Sequence, residues 1–170
     1  MPFPGDLPDH VVKNDLFFWD GTALRRIPKG TSSQILGWDA TTGAPEPVTL
    51  ASLNIDAGTY SPTLTNVGNI DASTAYDAQY LRVGATVFVS GKVDVNPTTP
   101  AALTQLGISL PIASNIGAFE DVGGAAACNA IAGQSAAIIG DPTNNRAEMD
   151  WIAGDVTNQA MFFSFGYQVI

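Results

Sequence analysis

The sequence predicts an all-β protein whose larger part is an antiparallel β-sandwich, similar to a jelly roll. Short segments in which apolar and polar residues alternate recur about 8–15 residues apart, and turn-forming residues separate them. No stretch of the chain shows the apolar repeat of an amphipathic helix. A period of two places successive side chains on opposite faces of a strand. Short strands at this spacing are typical of sandwiches and jelly rolls.

The clearest pair of strands lies within residues 76–95, YDAQYLRVGATVFVSGKVDV. In its second half, four valines share one parity, whereas the other parity holds mostly polar residues and Phe88. The valines are Val87, Val89, Val93 and Val95. Residues 76–80 also alternate, and residues 82–85 are short enough to reverse the chain. The pattern predicts a β-hairpin with one buried face, which needs further strands beneath it to be stable.

Six more strands are predicted in the larger part of the chain. They span residues 59–67, 104–110, 119–133, 134–140, 146–154 and 159–170. Pro62 predicts that the first of them is an edge strand, because proline cannot donate a hydrogen bond to the sheet. Residues 68–73 are predicted to form a loop, and the Gly- and Ala-rich residues 119–133 favour a kinked strand over a short helix. Alternation predicts that residues 146–154 turn Ala147, Met149 and Trp151 inward, and that the last strand places Met161, Phe163, Phe165, Tyr167 and Val169 on one face. The other parity of the last strand, which includes Phe162, is weakly polar, so we expect it to contact another subunit.

The first 55 residues predict an extended arm followed by short β-segments. Three prolines in residues 1–10 exclude a helix there. The predicted strands flank an Asp20-Gly21 turn and then span residues 34–38 and 48–53. Trp19 and Trp38 lie in this region, which has too few residues to bury them against itself, so it should pack on the main domain, on its own copies or on a partner. We therefore expect an attachment region, residues 1–55, and a knob domain, residues 56–170.

Composition excludes several classes of partner. The chain has 16 acidic and 7 basic residues, a net charge of −9, and should be repelled by nucleic acid and by anionic membranes. No apolar run reaches the ~18 residues of a membrane span, and we expect no signal peptide in the first ten residues. The single cysteine, Cys128, has apolar neighbours, which predicts a buried thiol and no internal disulfide. Such a chain can fold in a reducing cytosol.

Residues that could carry catalysis or bind a metal are sparse. The single histidine, His10, lies in the proline-rich arm, where it is badly placed to be held beside a nucleophile. One histidine and one cysteine cannot build a zinc site. Two carboxylate pairs, Glu120-Asp121 and Glu148-Asp150, have the residue types of a glycoside hydrolase. We interpret the first pair as part of a loop and the second as a solvated surface, so the sequence predicts no enzyme, no metal site and no cofactor.

Two parts of the chain resemble proteins of tailed-bacteriophage virions. Residues 58–116 and the ending MFFSFGYQVI resemble a β-rich domain that forms the end of tail fibres, head-attached fibres and decoration proteins. The shared segments, which occur in the same order, are Tyr60–Leu64, Tyr80–Gly84 and Gly107–Pro111. Residues 15–50 resemble a segment used before such domains, in which a DGT-L-RLP-GT-GQ-L pattern recurs. The residues that match it are Arg26–Thr31 and Gln34–Leu36.

The resemblance implies a homotrimer without enzymatic activity. The short region before the end domain favours a capsid decoration or cement protein, a head fibre, over a tail fibre with a long shaft. Such a protein is made in the host cytoplasm and lies on the virion surface, where its partner is the major capsid protein or another virion protein. The candidate capsid contacts are Phe17, Phe18, Trp19, Arg25, Arg26, Lys29 and Trp38, and the candidate trimer contacts are Phe88 and Phe162.

Two alternatives stay open at this point. The three basic candidates could grip an acidic surface, but ordinary solvation explains them equally well. The protein could also be a short tail fibre or tail tip that recognises a host surface glycan. An exposed aromatic cluster in residues 111–121 or 141–145 would favour that function, and these loops hold one aromatic residue, Phe119.

Overall fold

The computed structural model describes residues 16–27, 34–49 and 54–170. The chain divides into two compact units, residues 1–54 and residues 55–170. The described elements are β-strands and one short 3₁₀ turn, Phe119–Asp121. The all-β class and the sandwich- or jelly-roll-like architecture of the larger unit are therefore confirmed. The predicted arm, His10, Lys29 and most of the predicted strand 48–53 lie outside the described residues.

The described residues of the first unit form two antiparallel hairpins. The strands are β1 (Leu16–Trp19) paired with β2 (Leu24–Ile27), and β3 (Gln34–Trp38) paired with β4 (Pro45–Thr49). Each turn is built on an aspartate. Asp20 Oδ1 accepts hydrogen bonds from the backbone N–H groups of Thr22 and Ala23, both at 2.8 Å. Asp39 Oδ1 does the same for the second turn, which is typical of Asx turns. The strand–turn–strand prediction around Asp20-Gly21 is confirmed, whereas β4 begins at Pro45, three residues before the start of the predicted strand 48–53.

The second unit is one curled antiparallel sheet of ten strands. The strands are β5 (Ile55–Tyr60), β6 (Leu64–Gly68), β7 (Ile70–Ala75), β8 (Ala78–Val83), β9 (Thr86–Pro97), β10 (Leu103–Ile108), β11 (Val122–Cys128), β12 (Ser135–Asp141), β13 (Arg146–Ile152) and β14 (Gln159–Gln168). Their order across the sheet is β5-β8-β9-β14-β11-β12-β13-β10-β6. The long β9 pairs with β8 along its first half and with β7 along its second half. Ser73 Oγ on β7 donates to Asn66 Oδ1 on β6 at 2.6 Å, so the curl brings β6, at one end of the sheet, into contact with β7, which flanks β9.

The inner face of this curled sheet holds the hydrophobic core. The predicted hairpin of residues 76–95 is present, and its four inward valines are at most 3% exposed. The inward parities predicted for residues 146–154 and 159–170 are also confirmed. Their buried members are Ala147, Met149 and Trp151 on β13, and Met161, Phe163, Phe165 and Tyr167 on β14. Each fully buried valine, methionine or phenylalanine side chain contributes about 1.5–3 kcal/mol, which makes the core the main source of stability.

Two predictions for residues 59–73 were wrong. Residues 59–67 do not form one strand, because β5 ends at Tyr60 and β6 begins at Leu64, with Pro62 between them. Proline lacks the N–H group that would continue the ladder. Residues 70–75, mostly within the predicted loop 68–73, form β7. Asn69 adopts a φ of +58° and turns the chain sharply, and its side chain donates to Thr99 O at 2.9 Å and accepts from Thr99 N at 2.8 Å.

A buried pair of amide side chains fixes two loops against β14. Gln159 is fully buried, and its Oε1 accepts hydrogen bonds from Gln134 Nε2 at 2.6 Å and from Trp151 Nε1 at 3.3 Å. Its Nε2 donates to the backbone oxygen of Asp155 at 2.9 Å. Gln134 Oε1 in turn accepts from the N–H of Gly154 at 2.6 Å. Every polar atom of the two amides that faces the core therefore has a partner, as buried polar groups require.

Candidate functional site

Part of the outer face carries no charge on five neighbouring strands, and the outward Lys92, Asp94 and Asp141 lie outside this part. Alternation turns every second residue of β8, β9, β14, β11 and β12 outward. Cross-strand pairing places Leu81 beside Phe88, Phe88 beside Gly166, and Gly166 beside Gly123. We call this surface the uncharged face. It consists of Gln79, Leu81, Phe88, Ser90, Gly123, Ala125, Ala127, Ser135, Ala137, Ile139, Phe162, Ser164 and Gly166.

A shallow apolar trough runs across the uncharged face. Its volume is about 660 Å³, and its floor and wall include Gly123, Ala125, Leu81 and Phe88. The ring of Phe88 lies over Gly166, because a Cβ atom at that glycine would be 3.4 Å from Cδ1 of the ring. A Cβ atom at Gly123, one strand further, would meet no atom within 4 Å. The small residues of β11 thus leave an open space beside an exposed phenyl ring.

The nearest ionic groups border the uncharged face and are paired there. On β9, Lys92 Nζ lies 3.1 Å from Asp94 Oδ1 and 3.7 Å from the ring centroid of Tyr76. The hydrogen bond to Asp94 raises the pKa of Lys92. On β13, Glu148 and Asp150 accept hydrogen bonds from the side chain of Gln105 at 3.2 and 3.3 Å. Charge is therefore held at the margin of the face by local partners.

The two predicted carboxylate pairs serve structural contacts. Asp121 Oδ2 accepts hydrogen bonds from the N–H groups of Gly117 and Ala118 at 2.7 and 2.9 Å, which fixes the 3₁₀ turn. Glu148 stands beside Asp150 and within 3.9 Å of Arg146. Burial, followed by the charges of Asp150 and Asp141, raises the pKa of Glu148. Across residues 16–27, 34–49 and 54–170, no group of three or more His, Cys, Asp or Glu side chains could hold a metal ion.

The first unit contains a recess that brings together most of its predicted contact residues. The recess has a volume of about 800 Å³, and Phe18, Trp19, Arg25, Arg26 and Trp38 are among the residues that line it. Trp19 is 51% exposed and Trp38 is 71% exposed. Of the other predicted contacts, Phe17 is half-buried in β1 outside this lining, and Lys29 lies outside the described residues.

An ion pair lies at the recess. Arg25 Nε donates to Asp20 Oδ2 at 2.6 Å, and both side chains keep substantial exposure to solvent. This hydrogen bond, with those from the backbone of Ala23 and Thr22, lowers the pKa of Asp20 to about 2. Asp20 is therefore ionised at every physiological pH and keeps the Arg25 guanidinium at the edge of the recess.

The structure also places the two predicted trimer contacts and the cysteine. Phe88 is 56% exposed and Phe162 is 49% exposed, and both belong to the uncharged face. Cys128 is half-buried and packs against the core. The apolar residues beside it in the sequence had predicted a buried thiol, so it is more exposed than expected. Within the ranges that the structure describes, no helix has the length and apolar character needed to cross a membrane.

Sequence reasoning missed the floor of the trough. Gly123, Ala125, Ser164 and Gly166 were not among the predicted contact residues, although their small size creates the open space. The signal was present in part, because the outer parity of residues 159–170 is weakly polar. Assigning a parity to the Gly- and Ala-rich strand beside it would have identified the remaining floor residues.

Comparison with known proteins finds a distant likeness in structure and none in sequence. No protein-family model matches the chain, and no curated protein matches it. Among solved structures, the chain is similar to the attachment protein sigma1 of a reovirus, crystallised in complex with alpha-2,3-sialyllactose. The TM-score is 0.43 and the sequence identity is 10%, over 95% of this chain and 98% of the reovirus chain. A likeness this distant supports no conclusion about function.

Proposed function

We propose that this chain is a non-enzymatic structural protein of a phage virion, a homotrimeric capsid decoration or cement protein of the head-fibre type. Its first unit docks on the major capsid protein or another virion protein, and its second unit joins the copies. The resemblance of residues 15–50 and 58–116 to phage virion proteins supports the class. The exposed recess of the first unit, with Trp19, Trp38 and Arg25, is the observation that carries the docking role.

The recess has the composition of a protein contact. Tryptophan and arginine are the residues most enriched among those that dominate binding energy at interfaces. Each tryptophan exposes a large apolar area, and burying such area stabilises a complex by about 25 cal/mol per Å². The Arg25–Asp20 pair can reach polar groups at the rim, where charged residues are tolerated.

Three copies would multiply this contact. A trimer presents three recesses to a repeating capsid surface, and each binding event after the first is effectively intramolecular. A modest contact for each copy is then enough to hold the trimer in place. Binding across neighbouring capsid subunits would oppose their separation, which is how a cement protein stabilises a head.

The test compares substitutions in the recess with a matched control. We expect Trp19→Ala combined with Trp38→Ala to lower occupancy on purified heads at least tenfold, because hot-spot truncations cost about 2 kcal/mol or more. Phe119→Ala removes an aromatic that is 64% exposed but belongs to neither surface, and it should bind normally. Heads that retain the double variant at the normal level would refute the docking role of the recess.

Imaging of gold-labelled protein on virions separates head from tail. Label distributed over the head is the expected result. Label confined to the tail tip would overturn the decoration role in favour of the short tail fibre that recognises a host glycan. In the structure the loops 111–121 and 141–145 carry one exposed aromatic, Phe119, and no aromatic cluster.

A further inference from the structure

We infer that the uncharged face is the contact between copies, and that Phe162 of one copy enters the trough over Gly123 and Ala125 of the next. The inference rests on the proposed homotrimer and names how its subunits meet. Phe162 and the trough occupy different places on the same copy, so the contact is head-to-tail. Head-to-tail contacts close into a ring when the rotation between copies fits, as in a threefold assembly.

Charge selects a second copy as the occupant. Every copy carries a net charge of −9, so two copies repel each other unless their meeting surfaces avoid the acidic groups. The residues of the uncharged face include no ionisable side chain, and the ionic groups at its margin are paired, Lys92 with Asp94 and Asp141 with Arg146. Glu148 and Asp150 lie one strand further, on β13. A contact made here brings no like charges together and desolvates no unpaired ion.

Shape selects Phe162 as the inserted side chain. Phe88 already covers Gly166 of its own chain, whereas the space over Gly123 is open. Phe162 stands at the other end of β14, between Lys92 and Ala127 as cross-strand neighbours, and is 49% exposed. Phe162, unlike Phe88, covers no glycine of its own sheet, so its ring is free to enter the trough of another copy.

The size of the face requires more than one contact. Five strands at about 4.8 Å spacing are about 24 Å wide, and four residues along β14 span about 14 Å. The resulting few hundred Å² is smaller than the roughly 800 Å² that each partner buries in a stable standard interface. A pair joined here is weak, and closing a ring of three such contacts is what stabilises the assembly. We therefore expect trimers to appear cooperatively as the protein concentration rises.

The deciding experiment exchanges the inserted side chain and its receptor. Gly123→Phe fills the trough from its own chain, and the open space and ordinary φ at Gly123 let the sheet accommodate the ring. Phe162→Ala removes the inserted side chain. Sedimentation equilibrium at micromolar concentration should give about three times the 17.7 kDa chain mass for the unmodified protein. Each single variant should raise the midpoint concentration of assembly at least tenfold, and the double variant should recover much of the loss.

Controls keep the result unambiguous. Phe119→Ala, which truncates a more exposed phenylalanine outside the face, should assemble normally. If Gly123→Phe fails to fold by circular dichroism, Ser164→Asp takes its place, with Thr99→Asp as the control for an added charge. Ser164→Asp should then abolish trimers, and Thr99→Asp should not.

Each contrary outcome points to a different error. A monomer for the unmodified protein at all concentrations would overturn the contact between copies. Trimers that tolerate Phe162→Ala or Ser164→Asp would show that copies meet elsewhere. A double variant no better than the single ones would overturn the pairing of Phe162 with the trough. Binding of the unmodified protein to heads is measured separately, so failure of the docking role is distinguishable from failure of this contact.

Discussion

Replacing Gln159 with leucine tests whether the buried amide pair stabilises the larger unit. Gln159 is fully buried, and its carboxamide accepts from Gln134 Nε2 and Trp151 Nε1 and donates to the Asp155 carbonyl. Leucine has a similar volume but no polar atom. Gln159→Leu therefore removes the oxygen acceptor of two buried N–H donors, and Gln134 Nε2 keeps only its weak 3.7 Å contact with Met161 Sδ. The partly exposed Asp155 carbonyl can turn to water.

The expected loss follows from those two donors. A buried donor left without a partner costs about 1–3 kcal/mol, and the apolar surface gained by leucine offsets part of the total. We expect a net loss of about 3 kcal/mol in the free energy of unfolding. For a unit of this size, each kcal/mol lowers the melting temperature by about 4 °C, so the melting temperature should fall by about 12 °C.

The assay is urea and thermal unfolding followed by circular dichroism. All samples are held at one protein concentration, because self-association makes the melting temperature depend on concentration. Gln168→Leu is the matched control, since it makes the same change at an exposed position of the same strand outside the uncharged face. It should change stability by less than about 0.5 kcal/mol. A loss for Gln159→Leu that is no larger than the control would show that the amide network contributes little.

Three further perturbations probe packing and ionisation. A Cβ atom at Gly91 would lie 2.8 Å from Cζ of Phe163, so Gly91→Ala should cost about 1–3 kcal/mol in urea unfolding, and an unchanged midpoint would contradict this. Burial opposes ionisation of Asp141, but its hydrogen bonds outweigh burial and lower its pKa. The protein should lose stability as the pH falls through that lowered pKa, and Asp141→Asn should be less stable at pH 7 with a flatter acid limb. The pKa of Glu148 is raised, so its charged form is disfavoured in the folded state. Glu148→Gln should be more stable than the parent at pH 7, a difference that vanishes below about pH 4, and lower stability at pH 7 would contradict the assignment.

Sequence periodicity predicted the strands whose two faces differ in polarity. The valines of β9 and the aromatic residues of β14 predicted which face of each strand is buried, and the structure confirms both predictions. Periodicity did not predict strands at places where the backbone conformation of a single residue sets the direction of the chain. The positive φ of Asn69 starts β7 immediately after β6, and nothing in the composition of GNIDAS distinguishes this strand from a loop. The hydrogen bonds that stabilise the turn come from Thr99, which is distant in sequence.

The two candidate surfaces differ in how far the sequence predicted them. Exposed tryptophans in a region too small to bury them predicted the contact residues of the first unit, and the structure gathers most of these into one recess. The uncharged face could be predicted only in part. Its floor exists because β11 lies beside β14 in the sheet, a pairing between distant segments that alternation within either strand does not reveal.

The position of β14 between β9 and β11 also has consequences for how fast the sheet can form. Val89 and Phe165 are neighbours at the centre of the sheet but lie 76 positions apart along the chain. The hairpins β8–β9, β11–β12 and β12–β13 join nearby residues and can form in microseconds. Their assembly around β14 must first overcome the entropy of closing a long loop. Folding of the larger unit should therefore take milliseconds to seconds, as in other β-proteins dominated by distant pairings, with the central ladder formed last.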